Sequence, residues 1–484
     1  MPKQKNIYLA ALILSIVLAT QLTLTQLHVR GILSVESLLP LIRRRFITLE
    51  FIALCGLYLF WLIRYRPDKS ASRYLELLKP ASLFLIPAWI AHPLTSDIHL
   101  YFQYGLMSLY RVNPYLTNAV DFESVMSTFL DWTQTSTYGV VSLFIFAIPA
   151  KFVETNVYLG VYIFKLICVF FHILNGYLIW RALKATSYRH KVTLAYLLSP
   201  IVLFEHVIEA HLDVILCTVL IAIDQLFKTR RYLLGLIAAG VGFLTKTLPI
   251  IWIPLLGVFL IRERRWKTIV KFTLICAIAV LVLSLTVFPT IATWISVFNP
   301  GVDGLTAGSW HALVRGILVR TQGTLHSAKQ WIVPGSTQAL IWTLFNRFTL
   351  LLFAAFYGLT LYRIYRNRGI LESQLMVKIG WVTFVLFAFA TAWYQPWYAT
   401  ILLPIAALNL QQAPFFAILS FVFAMVSSIT NLALGYGTNL AGLLAAVLTM
   451  GSAIVMLLMR SRIMAWIESE SPRETGRVLQ EMKQ

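Results

Sequence analysis

"FTLICAIAVLVLSLTVF", residues 272–288, contains no charged side chain. A soluble protein could not carry such a run on its surface, and a lipid-embedded barrel would need apolar and polar residues to alternate along each strand. The run is continuous, which reads as a helix in a bilayer. A basic cluster, Arg262 to Lys271, stands directly before it. The same pairing of apolar run and basic cluster recurs along the 484 residues, of which 59% are apolar, 14% aromatic and 12% charged. The composition predicts an all-α polytopic membrane protein of about 12–14 transmembrane helices.

A net charge of +20 in a soluble chain would suggest a nucleic-acid partner. Here most basic residues lie in short clusters between apolar runs: Lys3 and Lys5, Arg64 to Lys79, Arg181 to Lys191, Lys228 to Arg231, Arg262 to Lys271, Arg363 to Lys378 and Arg460 to Lys483. That pattern is topology, with the clusters and both termini on the cytoplasmic side of a plasma membrane and no nucleic acid involved. Helices are expected near 7–27, 46–64, 80–96, 159–181, 192–207, 211–227, 232–247 and 248–262. Further helices are expected near 268–293, 338–362, 375–393, 397–411, 414–431 and 439–459. Parity leaves 138–152 as a shallow or re-entrant piece. The first helix follows two lysines but has no small-x-small cleavage site, so it is read as retained. Residues 1–462 are expected to form one transmembrane catalytic domain, with outer loops 97–137 and 294–337 building the active site, and 463–484 a short cytoplasmic tail. Cys55, Cys168, Cys217 and Cys276 all fall in apolar runs, which argues against disulfides.

The threading puts the chemically distinctive residues on the outer face. Asp97 stands at the lip of a helix, where lost hydration would suit it to accept a proton; equally, it could cap the helix "DIHLYFQYGLMSLYR". Ile98, Phe102 and Leu109 could face lipid while His99, Gln103 and Arg111 face elsewhere, so this helix reads as interfacial. Lys246, between "GFLT" and "TLPIIW", is an ammonium in apolar surroundings, costly unless it has a task or snorkels to the interface. Lys165 is a weaker instance of the same kind. Arg111, His311 and Arg315 are further candidates for a phosphate. Glu205, Glu209 and Asp213, four apart and flanked by His206 and His211, would share one face if the helix ran on. Such a group could hold a divalent cation, bind sugar hydroxyls or carry protons in a transporter. Trp393, Tyr394, Trp397 and Tyr398 could form an interfacial belt, stack on a sugar or line a prenyl-chain groove.

Asp97 followed by Tyr101, Tyr104 and Gly105, then Asn113, Pro114 and Tyr115, resembles the first outer loop of GT-C fold glycosyltransferases, the bacterial mannosyltransferase-like branch that uses polyprenyl-phosphate sugars. The resemblance continues in order through "TYGVVSLFIFAI" (137–148), "SPIVLFEHVIEAHLDVILCTVL" (199–220), "GFLTKTLPIIWIPLL" (242–256) and "WYQPWYATILLPIAAL" (393–408). Arg111 departs from it, standing where many relatives carry glycine, and Gly139 is not followed by the usual proline. The resemblance implies a GT-C type bundle with interfacial helices in the first long outer loop. It implies inverting transfer of a hexose, with mannose the leading candidate, from a polyprenyl-phosphate donor to a lipid-linked, glycan or cell-wall acceptor. The resemblance makes Asp97 the general base, while the residues' own chemistry assigns Lys246, with Arg111, His311 and Arg315, to the donor phosphate. His99, Tyr101, Asn113, Tyr138, Glu209, His211, Asp213, Trp393, Tyr394 and Trp397 would bind sugar or acceptor. The sequence assigns no definite cofactor and leaves room for a divalent cation. The alternative is a secondary transporter or lipid flippase that uses the Glu205, Glu209 and Asp213 group, although the chain shows no repeated halves.

Overall fold

The computed structural model describes residues 2–29, 39–65, 73–130, 133–298, 305–322, 332–435 and 440–469. Parts of the expected outer loop 294–337, and residues 470–484 of the expected tail, lie outside them. The described residues are helical throughout, apart from loops and one isolated bridge between Ala307 and Trp393. The chain is thus an all-α, multi-pass membrane protein: among the described residues nine helices are long and apolar enough to cross a bilayer, and shorter apolar helices such as Val140–Val153 accompany them.

In chain order, α1 (Pro2–Val29), α2 (Leu39–Arg64) and α3 (Tyr74–Ile90) pack together. Next come α4 (Asp97–Leu109), α5 (Val140–Val153) and α6 (Val157–Ala182). After α7 (Arg189–Leu198), the single turn α8 (Pro200–Val202) and a π-helical turn (Leu203–Ile208) lead into α9 (Asp213–Lys228) and α10 (Tyr232–Phe243). A 3-10 turn at Leu248–Ile251 opens α11 (Trp252–Arg262), which is followed by α12 (Trp266–Thr286), α13 (Ile291–Phe298) and α14 (Trp310–Thr321). The long α15 (Thr337–Arg366) and α16 (Glu372–Val385) precede α17 (Pro396–Thr400), α18 (Leu402–Leu408), α19 (Pro414–Leu434) and α20 (Leu440–Leu458).

The run that opened the sequence reading is α12. None of its residues is buried, and Leu274, Ile278, Leu281 and Leu285 are all exposed. So much continuous apolar surface would aggregate in water and is suited to lipid tails. Two apolar clusters lie inside the bundle. The smaller is built from α4, α5, α6 and residues 210–215, and the larger from α1–α3, α7, α9–α11 and α16–α19.

One expectation about this part of the chain is overturned. The helix beginning at Asp97 does not turn its expected face to lipid: Ile98 and Phe102 are fully buried, as is nearly every residue from Leu100 to Met107. A Cβ at Gly105 would stand 2.5 Å from the Phe146 carbonyl oxygen. Glycine there lets α4 and α5 meet backbone to backbone, and Tyr101 stacks on Phe146 with ring centroids 4.6 Å apart. Helix–helix contact therefore takes the face that periodicity alone assigned to lipid.

The ends of the helices are sorted. α9 starts at Asp213 and ends at Lys228; α10 starts after Arg231 and ends just before Lys246; α15 ends in Arg363 and Arg366. At 1.5 Å per residue, the 16 residues of α9 span about 24 Å, close to the ~30 Å of a bilayer's hydrocarbon core. The basic clusters lie at one end of these helices, and Asp213 and Lys246 lie at the other.

Candidate active site

A cavity of about 1260 Å³ occupies that second end, in the seam between the two apolar clusters. Asp97, Tyr138, Glu205, Glu209, His211, Asp213, Lys246, Trp393, Trp397 and Tyr398 all line it. Residues more than 290 positions apart in the chain thus share one wall.

Asp97 is the first residue of α4, and the segment before it is pinned from two sides. Lys165, buried in α6, donates its ammonium hydrogens to the carbonyls of Ala88, at 3.0 Å, and Ala91, capping the end of α3. The Glu209 carboxylate accepts backbone N–H groups from Leu94, at 3.1 and 3.2 Å, and from Thr95, at 2.8 Å. The Asp97 amide in turn donates to Thr95 Oγ1 at 3.2 Å. Two buried charges of opposite sign, each satisfied by main chain, thereby hold the approach to Asp97.

Lys246 is positioned through α5. The amides of Gly139 and Val141 donate to the carbonyls of Thr245 and Leu244, and Ser142 Oγ donates to Thr245 O at 2.6 Å. A Cβ at Gly139 would lie 2.1 Å from Leu244 O, so only glycine permits this approach. Lys246 Nζ then donates to both carboxylate oxygens of Asp213, at 2.8 and 3.0 Å, and sits 4.6 Å from the centre of the Tyr398 ring. It is the only lysine or arginine among the described residues that line the cavity.

The "EHVIEAHLD" stretch breaks between the helices expected at 192–207 and 211–227, so the helix does not run on. The backbone widens into the π turn Leu203–Ile208 and then breaks, with Ala210 at φ 55°. Glu205, Glu209 and Asp213 consequently part company: Glu205 accepts from Ser428 at 2.6 Å, Glu209 holds the Leu94–Thr95 backbone, and Asp213 holds Lys246. The expected shared acidic face is not formed. Among the described residues no group of three or more His, Cys, Asp or Glu is arranged to hold a metal ion. The turn delivers His211 instead, its ring stacked on Trp397 at 3.6 Å. His211 Nε2 lies 4.0 Å from Asp97 Oδ2.

The aromatic and amide residues around Asn113 fold the first loop. Asn113 Nδ2 donates to Val287 O at 2.8 Å while its Oδ1 accepts the Tyr115 amide. Tyr104 and Tyr115 donate to the carbonyls of Gln134 and Tyr138. Their combined effect is to bring Tyr138 to the cavity wall, where its hydroxyl donates to Tyr101 at 3.4 Å. Burial, and after it the Asp97 carboxylate, keeps the Tyr138 phenol well above its usual range, so the hydroxyl stays a donor.

Several predicted site residues do not line the cavity. His99 packs against Phe129, and Tyr101 lies in the core behind Tyr138. Arg111 is exposed at φ 59°, a left-handed position that explains why glycine suits related sequences there. His311 is buried against Thr349, Trp342 and Phe345, and Arg315 is half-buried on the same helix. Tyr394 is fully buried between Phe387 and Phe423, and its amide donates to Ala307 O. The sequence reading also missed wall residues: Gln134 and Thr137 from the first loop, Asn346 from α15, Gln395 before α17, and Asn431 from α19. Asn346, Gln395 and Asn431 had one signal, an amide among largely apolar neighbours, which is costly in lipid unless it faces a polar space; Gln134 and Thr137, in a polar loop stretch, had none.

The four wall carboxylates differ in exposure. The Asp97 side chain is 21% exposed, against 2% for Glu205 and 1% for Asp213. Asp97 is the most exposed of them, and Lys246, with 18% of its side chain exposed, is the one lysine or arginine among the described wall residues.

No curated protein and no solved structure matches the chain. The sequence model of one family, MptA_B, described as alpha-(1->6)-mannopyranosyltransferase, N-terminal domain, matches residues 7–262.

Proposed function

Because the chain belongs to this alpha-(1->6)-mannopyranosyltransferase family, and is therefore a membrane mannosyltransferase with a sugar donor and a glycan acceptor, we propose a specific reaction for its cavity. The donor is a polyprenyl-phosphate mannose, whose anomeric carbon already carries a leaving group. The acceptor is the 6-hydroxyl of a mannose in a lipid-linked or wall glycan, as the family description suggests. Asp97 takes the hydroxyl proton as the oxygen attacks, and the phosphate departs from the opposite side, which inverts the anomeric centre. Lys246 stabilises the departing phosphate, turning from Asp213 toward it.

The observation that carries this reading is the presence, around one cavity, of the most exposed wall carboxylate and of the only lysine or arginine among the described lining residues. Base and cation are the minimum such a displacement needs. Trp397 and Trp393 offer ring faces to the sugars, and Tyr138 a hydroxyl. The enzyme is a hexosyltransferase of the plasma membrane whose site faces outward, because the basic clusters lie at the opposite helix ends.

Purified protein incubated with radiolabelled polyprenyl-phosphate mannose and a mannose-terminated acceptor provides the test. Asp97→Ala should lower turnover by about 10²–10⁴, the usual contribution of a general base, with an unchanged melting temperature. Near-normal turnover in the folded variant would remove Asp97 from the chemistry.

A further inference from the structure

His211 has no task in that scheme, yet its Nε2 lies 4.0 Å from the Asp97 carboxylate. Its ring is held on three sides. One face stacks on Trp397 at 3.6 Å, Nδ1 stands 3.0 Å from the Glu205 carbonyl oxygen, and the side chain is only 1% exposed. A carbonyl can only accept, so Nδ1 carries the proton and Nε2 of the neutral ring is an acceptor. Nε2 is buried, has no hydrogen-bond partner, and faces Asp97 Oδ2 across 4.0 Å. That separation is too long for a direct hydrogen bond and fits one oxygen atom placed within reach of both. An unpartnered acceptor nitrogen is thus set against a carboxylate oxygen at the cavity wall.

We propose that His211 Nε2 is a second catalytic proton acceptor, and that the attacking hydroxyl of the acceptor sugar sits between it and Asp97. The inference rests on the reading of Asp97 as base. As the hydroxyl oxygen bonds to the mannose C1, the bond from C1 to the phosphate oxygen breaks and the phosphate keeps the electron pair. The hydroxyl proton passes to the Asp97 and His211 pair, and returns to solvent after the product leaves. Burial opposes an imidazolium at this position, and three neighbours offset part of that cost: Trp397 presents its π face, Glu205 Oε2 lies 3.7 Å from Nδ1 and Asp97 lies beyond Nε2. Of the other charged groups on the wall, Lys246 opposes that charge and is itself balanced by Asp213, while Glu209 is engaged by backbone amides.

The full-length enzyme in detergent tests this with His211→Phe, His211→Gln and Asp97→Ala side by side. Phenylalanine preserves a ring against Trp397 and removes the acceptor; glutamine restores an acceptor oxygen near Nε2 but cannot take a proton. The expected result is a kcat about 10²-fold lower for H211F, with acceptor KM within about threefold and melting temperature unchanged, and a recovery of about tenfold in H211Q. Wild-type kcat in folded H211F, with D97A inactive, would overturn the inference and leave the Asp97 reading standing. An active D97A beside an inactive H211F would overturn both, making His211 the base alone. If H211F does not fold, folded H211Q decides: a kcat about tenfold below wild type supports the proposal, and wild-type kcat refutes it.

Discussion

Lys246 and Asp213 must be judged together, because Asp213 is almost wholly buried and Lys246 is the cation that balances it. Lys246→Met leaves that carboxylate unpaired, a change that typically costs about 3–5 kcal/mol. The double variant K246M/D213L removes both charges, and should melt well above K246M alone while still failing to transfer mannose. Equal melting temperatures would show that the pair is not coupled. Glu209 poses a different question, since it touches backbone and no ligand is needed to explain it. Glu209→Gln replaces a charge-assisted acceptor of the Leu94 and Thr95 amides, so a loss of about 1.5–3 kcal/mol is expected in denaturation measurements, with lowered kcat as the Asp97 approach loosens. Arg111→Gly makes the opposite case. The arginine is exposed, stands at φ 59° and lies off the cavity wall, so R111G should transfer mannose at the wild-type rate with no loss of stability. A fall in donor affinity would return Arg111 to the phosphate site.

At the scale of elements, the site is made where helices stop or widen. The π turn Leu203–Ile208 and the left-handed Ala210 form the expected break between two helices and split three carboxylates among three tasks. A second π turn, Leu386–Ala390, precedes the extended segment that carries Trp393 and Gln395 to the cavity. That segment is tied to residues 307–309 by reciprocal backbone hydrogen bonds and by Ser309 Oγ, which donates to Ala392 O at 2.6 Å. Irregular backbone of this kind is tolerable within a membrane only where it is buried in protein or lines a wet cavity. The contact of α5 with the Leu244–Thr245 carbonyls is the tightest of these junctions. Gly139→Ala places a methyl group against Leu244 O and should cost about 1–3 kcal/mol in a melting assay, with transfer reduced because Lys246 follows directly. Wild-type stability and rate in G139A would show that the junction yields freely.

For the whole molecule, the sorting of helix ends predicts sidedness. With the basic clusters in the cytoplasm, a cysteine at exposed Val120 should react with an impermeant maleimide in intact cells, and one at exposed Lys267 only after permeabilisation. The reverse labelling pattern would place the cavity on the cytoplasmic face. The native cysteines interfere little, since three are buried and Cys276 is only partly exposed, on the lipid-facing α12.

What the sequence determined by itself was the solvent of each segment. Uninterrupted apolar runs such as 272–288 have one low-energy arrangement in lipid, a helix with its backbone hydrogen bonds internal, so fold class and the sorting of charged ends were legible without coordinates. Five ordered motifs were likewise enough to point to a glycosyltransferase, to Asp97 and to Lys246. The tertiary structure alone decided which helix faces meet lipid and which meet other helices, because both are apolar and periodicity cannot tell them apart: the lipid face expected of α4 is buried. It also decided the pairing of charges. Glu209 with the Leu94–Thr95 backbone, Lys165 with the end of α3, and His211 with Asp97 are partners brought together across 70 residues or more. Such pairings are set by how helices pack, and spacing along the chain carries no record of them.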